Sequence, residues 1–396
     1  WLYGINLTRT YTLQAQKVAF KGVVSIGRVQ TPLLGLVVRR DQEIDAFVSK
    51  PFYEVLAHIH VPNQPDFSAK WQPSEACSAY QDSEGRVTHK ALAENVVSRI
   101  TKQPALVKAI VHKVKKQAPP LPHSLSVLQI DAAKRLGLSA KQVLDVCQSL
   151  YETHKLITYP RSDNRYLPQA HFKQSQQVIA AISNNTAFKK LCDNTDIKIK
   201  SKAWNDAKTG AHHGIIPTAN KVKPERLSRI EYQVYCIIAQ QYLCQFYPHW
   251  VYSDGQIELN IAGGLFVCKA RHTIDEGWKS VFMVGKGSVG KTAADKNTMD
   301  RPIETLPKLE VGQSLLCDHG ELLEKQTQAP KYYTDATLLA AMTGISRYVS
   351  DPDIKKVLKE TDGLGTEATR ASIIELLFKR QFLQRQGKQI RATASG

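Results

Sequence analysis

Apolar and polar positions along this chain follow one period, then another. Residues 1–50 read as helical: Leu33, Leu34, Leu36, Val37 and Val38 run into the charged Arg39-Arg40-Asp41-Gln42-Glu43. From Pro51 the pattern alternates, Phe52 to Val61, as a half-buried strand does. A turn-rich stretch, Pro73 to Gly85, separates it from a second strand-like run, Ala105 to Val111, which leads into a basic segment. Pro119-Pro120-Leu121-Pro122 marks a boundary. Residues 123 to about 245 return to helical spacing, with Ser139 as N-cap of a helix over Ala140–Tyr151. Strands are expected again over 255–261, 265–268 and 281–284, and helix from Thr334 to the end. The order helical, strand, helical, strand, helical is not that of a linear string of domains. It points to an inserted unit that interrupts a β unit, which itself interrupts a helical unit.

Composition narrows the function classes. The 396 residues suffice for two to four compact units, and with 42% hydrophobic residues a real core can form. No run of about 18 apolar residues is present, which argues against a membrane span. Trp1-Leu2-Tyr3-Gly4 has neither an initiator Met nor the charged opening of a signal peptide, so a longer parent protein is expected. Lys plus Arg outnumber Asp plus Glu by 53 to 36, a formal charge of +17 that favours a polyanionic partner. The seven cysteines are odd in number and include no Cys-x-x-Cys pair. That pattern argues against a disulfide framework or zinc ribbon and for a reducing cytoplasm.

The chemistry concentrates in Leu156-Ile157-Thr158-Tyr159-Pro160-Arg161-Ser162-Asp163-Asn164-Arg165-Tyr166-Leu167-Pro168. Pro160 disfavours helix at Tyr159, and in an extended chain Tyr159, Arg161 and Asp163 would share a face. A phenol is a poor nucleophile until a cation favours its phenolate. Arg161 could do this and could also grip phosphate oxygens that gain charge in a transition state. A phosphotyrosine ester would store the energy of a broken DNA bond, so rejoining would need no nucleotide. Gly285-Lys286-Gly287-Ser288-Val289-Gly290-Lys291-Thr292 fits a phosphate-loop pattern, but Ala293 to Asp300 lacks the apolar face of the helix that should follow it. A basic loop near DNA is the better reading.

Ile157 to Asp163 closely resembles the active-site signature of type IA DNA topoisomerases. Three more strings agree in order: Ser25-Ile26-Gly27-Arg28-Val29-Gln30-Thr31-Pro32, Ala211-His212-His213-Gly214-Ile215-Ile216-Pro217-Thr218, and Asp362-Gly363-Leu364-Gly365-Thr366-Glu367-Ala368-Thr369-Arg370-Ala371-Ser372. The resemblance spans nearly the whole chain. Thr334 to Leu339 and Ala203-Trp204-Asn205-Asp206 are similar in wording to the family's bacterial topoisomerase III branch. The resemblance implies a padlock-like, multi-domain α+β core with a β-rich arch (51–118 and 246–325), a helical DNA-binding domain (1–50 and 326–396) and a tyrosine-bearing domain (119–245). Parting the tyrosine domain from the rest would open a gate in one cut strand for another to pass.

The resemblance also assigns roles. Tyr159 would attack the phosphodiester and hold the 5′ phosphate, Arg161 would stabilise the transition state, and His212 would assist. Ser25, Arg28 and Gln30 would hold single-stranded DNA, with Asp163, Thr366 and Arg370 as further contacts. The family's Toprim domain supplies an acidic, magnesium-binding cluster. Residues 1–396 contain no Asp-x-Asp-x-Glu, so Mg²⁺ is expected only through that domain, with no metal held by this chain and no ATP used. A monomer acting on single-stranded DNA, cytoplasmic and nucleoid-associated, follows as the expectation, with relaxation and decatenation as the full enzyme's outcome. Two other function classes stand beside it. A recombinase or nickase would show an Arg-His-Arg set around a late tyrosine, or a histidine cluster. A purely DNA-binding module remains partly true of residues 1–396. Two segments are candidates for an extra loop important for unlinking DNA rings: Gln72 to Arg86 by position, and Gly285 to Arg301 by charge.

Overall fold

The computed structural model describes residues 2–19, 21–283, 306–361 and 363–396. In chain order the helices α1 (Leu2–Gln16) and α2 (Gln30–Asp45) lead to strands β1 (Pro51–His60) and β2 (Phe67–Gln72). Helix α3 (Lys90–Ile100) and strand β3 (Pro104–Gln117) follow. Then come α4 (Leu125–Leu136), α5 (Ala140–Glu152), α6 (Gln169–Phe172), α7 (Ser175–Ser183), α8 (Thr186–Asp193) and α9 (Arg229–Leu243). Strands β4 (Trp250–Ile261) and β5 (Gly264–Asp275), the single turn α10 (Ser280–Met283) and strand β6 (Ser314–Gln326) precede α11 (Asp335–Thr343), α12 (Pro352–Glu360) and α13 (Arg370–Lys379). A hairpin of β7 (Leu383–Gln386) and β8 (Gln389–Ala392) ends the series.

These elements divide into two compact units. One comprises Trp1–Phe47, Pro119–Tyr247 and Pro330–Gly396; the other comprises Val48–Ala118 and Pro248–Ala329. In the second unit six antiparallel strands close a barrel in the order β1-β2-β5-β4-β3-β6. Its interior follows from alternation. Val55, Ala57 and Ile59 of β1, Ile257, Leu259 and Ile261 of β4, and Phe266 and Cys268 of β5 are buried, while their neighbours reach the outside. Closure leaves the paired strands no long free edge, and α3 packs Ala93 and Ile100 against the same core.

The first unit is helical, and its helix starts are written in the sequence. Ser139 accepts from the backbone of Gln142, whose side chain returns to Ser139, so α5 begins with a full capping box. Ser228 and Glu231 do the same for α9, and Thr334 and Thr337 for α11. The seven cysteines are free thiols. No helix among the described residues is long and apolar enough to cross a membrane.

Local expectations fail in two places. Val281-Phe282-Met283 belongs to the helical turn α10, not a strand. So short an apolar run carries no period, and Val281 is buried either way. The C-terminal residues are not all helical either. Gly387, at φ +61°, takes the left-handed conformation at the tip of the β7–β8 hairpin, which buries Leu383 and Ile390. Gln72 to Arg86 is ordered by a short 3₁₀ turn over Glu75–Tyr80 and by Asp82, whose carboxylate accepts from the backbone N–H groups of Glu84 and Arg86. The glycine-rich 285–292 segment and the 285–301 candidate loop lie outside the described residues.

Candidate functional site

The segment around Tyr159 is fastened at its back to the histidine motif. Thr158 N–H donates to the Ile216 carbonyl at 2.9 Å, Ile216 N–H donates to Thr158 Oγ1 at 3.0 Å, and Ile157 bridges Pro217. Leu156 and Ile157 are buried, which roots the segment in the core. Pro160 and Arg161 then form a turn, not the continuous extended strand expected. Exposure nonetheless alternates: Tyr159, Arg161 and Asp163 reach solvent, whereas Pro160 and Ser162 are buried. Arg161 makes no ion pair or hydrogen bond among the described residues, so its guanidinium is available to an anion.

His212 lies against the tyrosine. The two rings stack with centroids 4.9 Å apart and planes 21° apart, while Tyr151 meets Tyr159 edge-on at 5.8 Å. Tyr159 remains 40% exposed. His213 points elsewhere: its Nδ1 lies 2.9 Å from the Gly214 carbonyl and its ring meets His171 edge-on. Burial, followed by the charge of His213, lowers the pKa of His171. Lys155, just before the segment, holds a left-handed backbone at φ +54°. Its carbonyl accepts from Thr218 Oγ1 and Asn220 Nδ2, which tie that conformation to the histidine motif.

The other expected residues form two groups. At the start of α2, Gln30 Nε2 donates to Ser25 Oγ at 2.6 Å, and Arg380 Nη1 donates to Gln30 Oε1 at 3.3 Å. Arg28 is exposed beside them. A groove of about 920 Å³ is lined by Thr8, Arg9, Ser25, Gly27, Arg28 and Thr31. In the glycine-rich motif, Gly363 at φ +87° runs so close to the Met342 carbonyl that a Cβ would sit 2.5 Å from it. Thr366 is exposed and its carbonyl accepts from the N–H groups of Thr369 and Arg370 at the start of α13.

Arg370 faces inward. It is fully buried, and its guanidinium donates to the carbonyls of Leu364 and Gly365, to Ser126 Oγ and to Glu367 Oε1. Its charge is thus satisfied within the protein, away from any strand on the surface. Glu367 Oε2 in turn accepts from both the backbone N–H and the hydroxyl of Ser126 at 2.6 Å. One residue earlier, Leu125 N–H donates to the Ser162 carbonyl. The first turn of α4 therefore links the tyrosine segment to the glycine-rich loop. No sequence spacing joins Ser126 to Glu367, 241 positions away. Beneath this turn His123 is buried, with Nε2 3.4 Å from Asp131 and Nδ1 without a hydrogen-bond partner. Burial lowers the pKa of His123 against the pull of Asp131, which favours the neutral ring; Asp131 is held low by His123 and Arg135 against its own desolvation.

A metal site is not among these groups. No set of three or more His, Cys, Asp or Glu side chains among the described residues could hold an ion.

Comparison with known proteins shows the family and the fold. A family model described as DNA topoisomerase matches residues 1–396. The whole chain is 53% identical to DNA topoisomerase 3 of Pasteurella multocida (strain Pm70), covering 61% of that protein, and 53% identical to DNA topoisomerase 3 of Salmonella typhimurium (strain LT2), covering 59%. The chain thus spans about 60% of the length of these curated relatives. The full-length topoisomerase I structure from Thermotoga maritima aligns with 94% of this chain and 54% of its own at a TM-score of 0.64 and 22% identity, a likeness of fold. Matched by the family model from end to end and folded as expected into α+β units, the chain belongs to the type IA DNA topoisomerases.

Proposed function

We propose that residues 1–396 are the strand-holding and nucleophile-bearing part of an enzyme that cuts one DNA strand, passes another and reseals the first, relaxing and decatenating DNA. The observation that carries this reading is an exposed phenol, fixed between two rings, beside an unpaired arginine. Tyr159 Oη would lose its proton to solvent and form the new bond to phosphorus, the P–O3′ bond would break, and the 5′ phosphate would stay on the tyrosine. Arg161 supports this step because an unpaired guanidinium can neutralise the charge gathering on the phosphate oxygens. His212, stacked on the ring, would keep the phenol aimed. Ser25, Arg28 and Gln30 would hold the incoming single strand, with Arg28 meeting phosphate. Thr366 would contact the strand from the exposed loop, and Asp163 would border it. Arg370 would act only by holding that loop.

The leaving 3′ oxygen needs a proton from a group within hydrogen-bond reach. Residues 1–396 have no Asp-x-Asp-x-Glu cluster to supply it. The reading therefore has this chain binding single-stranded DNA without cutting it, and acquiring activity, together with magnesium, from a Toprim-type domain. The protein would work as a cytoplasmic monomer.

The test is to incubate the chain with labelled single-stranded DNA, denature, and look for a covalent band. No band is expected from residues 1–396 alone. A band is expected once a Toprim-type domain is joined or added, and none in that complete protein carrying Tyr159→Phe. A covalent adduct from the chain alone, or one that survives Tyr159→Phe, refutes the assignment.

A further inference from the structure

On the outside of the barrel, β3, β4 and β5 place their side chains in aligned rows. Val111, Gln256 and Lys269 lie side by side; Lys113, Asp254 and Arg271 form the next row; Lys115, Tyr252 and Thr273 the third. Directly paired residues point to the same face, and it is the outer face, because Gly255 and Ala270 between these positions are buried. Lys113, Lys115, Lys269 and Arg271 are all exposed.

A stack of two rings between two cations runs across this face. Lys279 Nζ sits 2.9 Å from the Trp250 ring centre, Trp250 stacks on Tyr252 at 3.9 Å, and the Arg271 guanidinium lies 4.7 Å above Tyr252. Asp254 grips that guanidinium edge-on, accepting from Nε at 2.6 Å and Nη2 at 3.2 Å, and also accepts from Lys115 Nζ. These two cations hold the Asp254 carboxyl down at about 2. The edge of Arg271 is thus fixed by a carboxylate and one plane by a ring, while the side chain stays 46% exposed. Lys113 and Lys269, on either side, make no ion pair or hydrogen bond among the described residues.

We infer that this outer face is a second binding surface for single-stranded DNA, in which an unpaired base stacks on the exposed plane of Arg271 and Lys113 and Lys269 meet the flanking phosphates. Unpaired bases stack on guanidinium planes, and a basic face with aromatic support tracks a single strand without reading sequence. A duplex would use the lysines but offers no free base plane. The inference rests on the reading that this chain handles single-stranded DNA, but it concerns the other unit of the fold.

The test uses the full chain and oligothymidylate of about eight nucleotides, with affinity and stoichiometry followed against salt. Lys113→Gln/Lys269→Gln removes two solvated charges that no internal contact needs. It should abolish one bound oligonucleotide of two, or weaken a single bound one roughly tenfold, and reduce the log–log salt slope by about 1.4, at ~0.7 per phosphate contact. Lys189→Gln/Lys190→Gln, the same charge change in the helical unit, should alter affinity less than about twofold. Arg271→Lys keeps the charge and removes the plane; it should weaken single-strand binding roughly fivefold or more and leave duplex binding unchanged. Binding untouched by the Lys113/Lys269 change overturns this surface while leaving the Arg28 groove standing. Loss in the lysine variant with none in Arg271→Lys overturns base stacking and reduces the face to a phosphate contact. No oligonucleotide bound by the unaltered chain overturns both readings.

Discussion

Arg370→Ala tests whether a motif arginine serves the strand or the scaffold. The side chain is completely buried and donates to Leu364 O at 3.1 Å, Gly365 O at 2.8 Å, Ser126 Oγ at 2.7 Å and Glu367 Oε1 at 3.0 Å. Truncation leaves two loop carbonyls without this donor, at about 1 kcal/mol each. It also leaves the Glu367 carboxylate, itself only 10% exposed, without its counter-charge. Breaking such a buried pair from one side costs about 3–5 kcal/mol in total. The loss should appear in urea unfolding as an earlier transition of the helical unit, with the barrel's transition unmoved. Adding Glu367→Gln should recover part of it, because the neutral amide no longer leaves a charge stranded; the double variant then costs less than the sum of the two singles. A stability loss below about 1 kcal/mol, together with a sharp fall in DNA affinity, would place Arg370 on the strand and refute the reasoning.

Three further outcomes follow. Ser139→Ala removes the hydroxyl half of the α5 capping box and should cost about 1 kcal/mol in unfolding, which Ser139→Asp largely restores; equal losses in both would mean the cap does not stabilise α5. Burial holds the His123 pKa below the ordinary 6.5, so at pH below about 6.5 the unfolded chain binds a proton that the folded chain resists; stability should fall with acidification through that window and flatten in His123→Gln. A pH profile identical in the two proteins would contradict the neutral buried ring. Asp254 is held at about 2 by Arg271 and Lys115, so its contribution is present above the normal carboxylate range and lost as pH falls toward 2; a carboxyl NMR titration midpoint near 3.8 would show that the grip on Arg271 is absent.

The sequence by itself determined whatever depends on neighbours along the chain. Ser139 and Gln142 are three positions apart, so the start of α5 could be read from spacing, and the alternation at 52–61 gave β1 because a strand with one buried face must repeat every second residue. The chain passes from one compact unit to the other between Ala118 and Pro119, at the start of the Pro119 to Pro122 run. Tyr159, Arg161 and His212 were singled out because the strings that hold them are contiguous, and only the folded chain brings His212 onto the Tyr159 ring. Period was too weak a guide where few residues repeat it: α10 and the β7–β8 hairpin were both misread. Tertiary structure alone decided the rest. That Arg370 is buried, that Ser126 joins Glu367, and that Lys279, Trp250, Tyr252 and Arg271 stack all depend on strands and helices remote in sequence meeting at a fixed register. A motif reports which residue types a site contains. Whether a charged one faces solvent or core is set by what packs over it, and the segments that pack over Arg370 begin more than two hundred residues earlier.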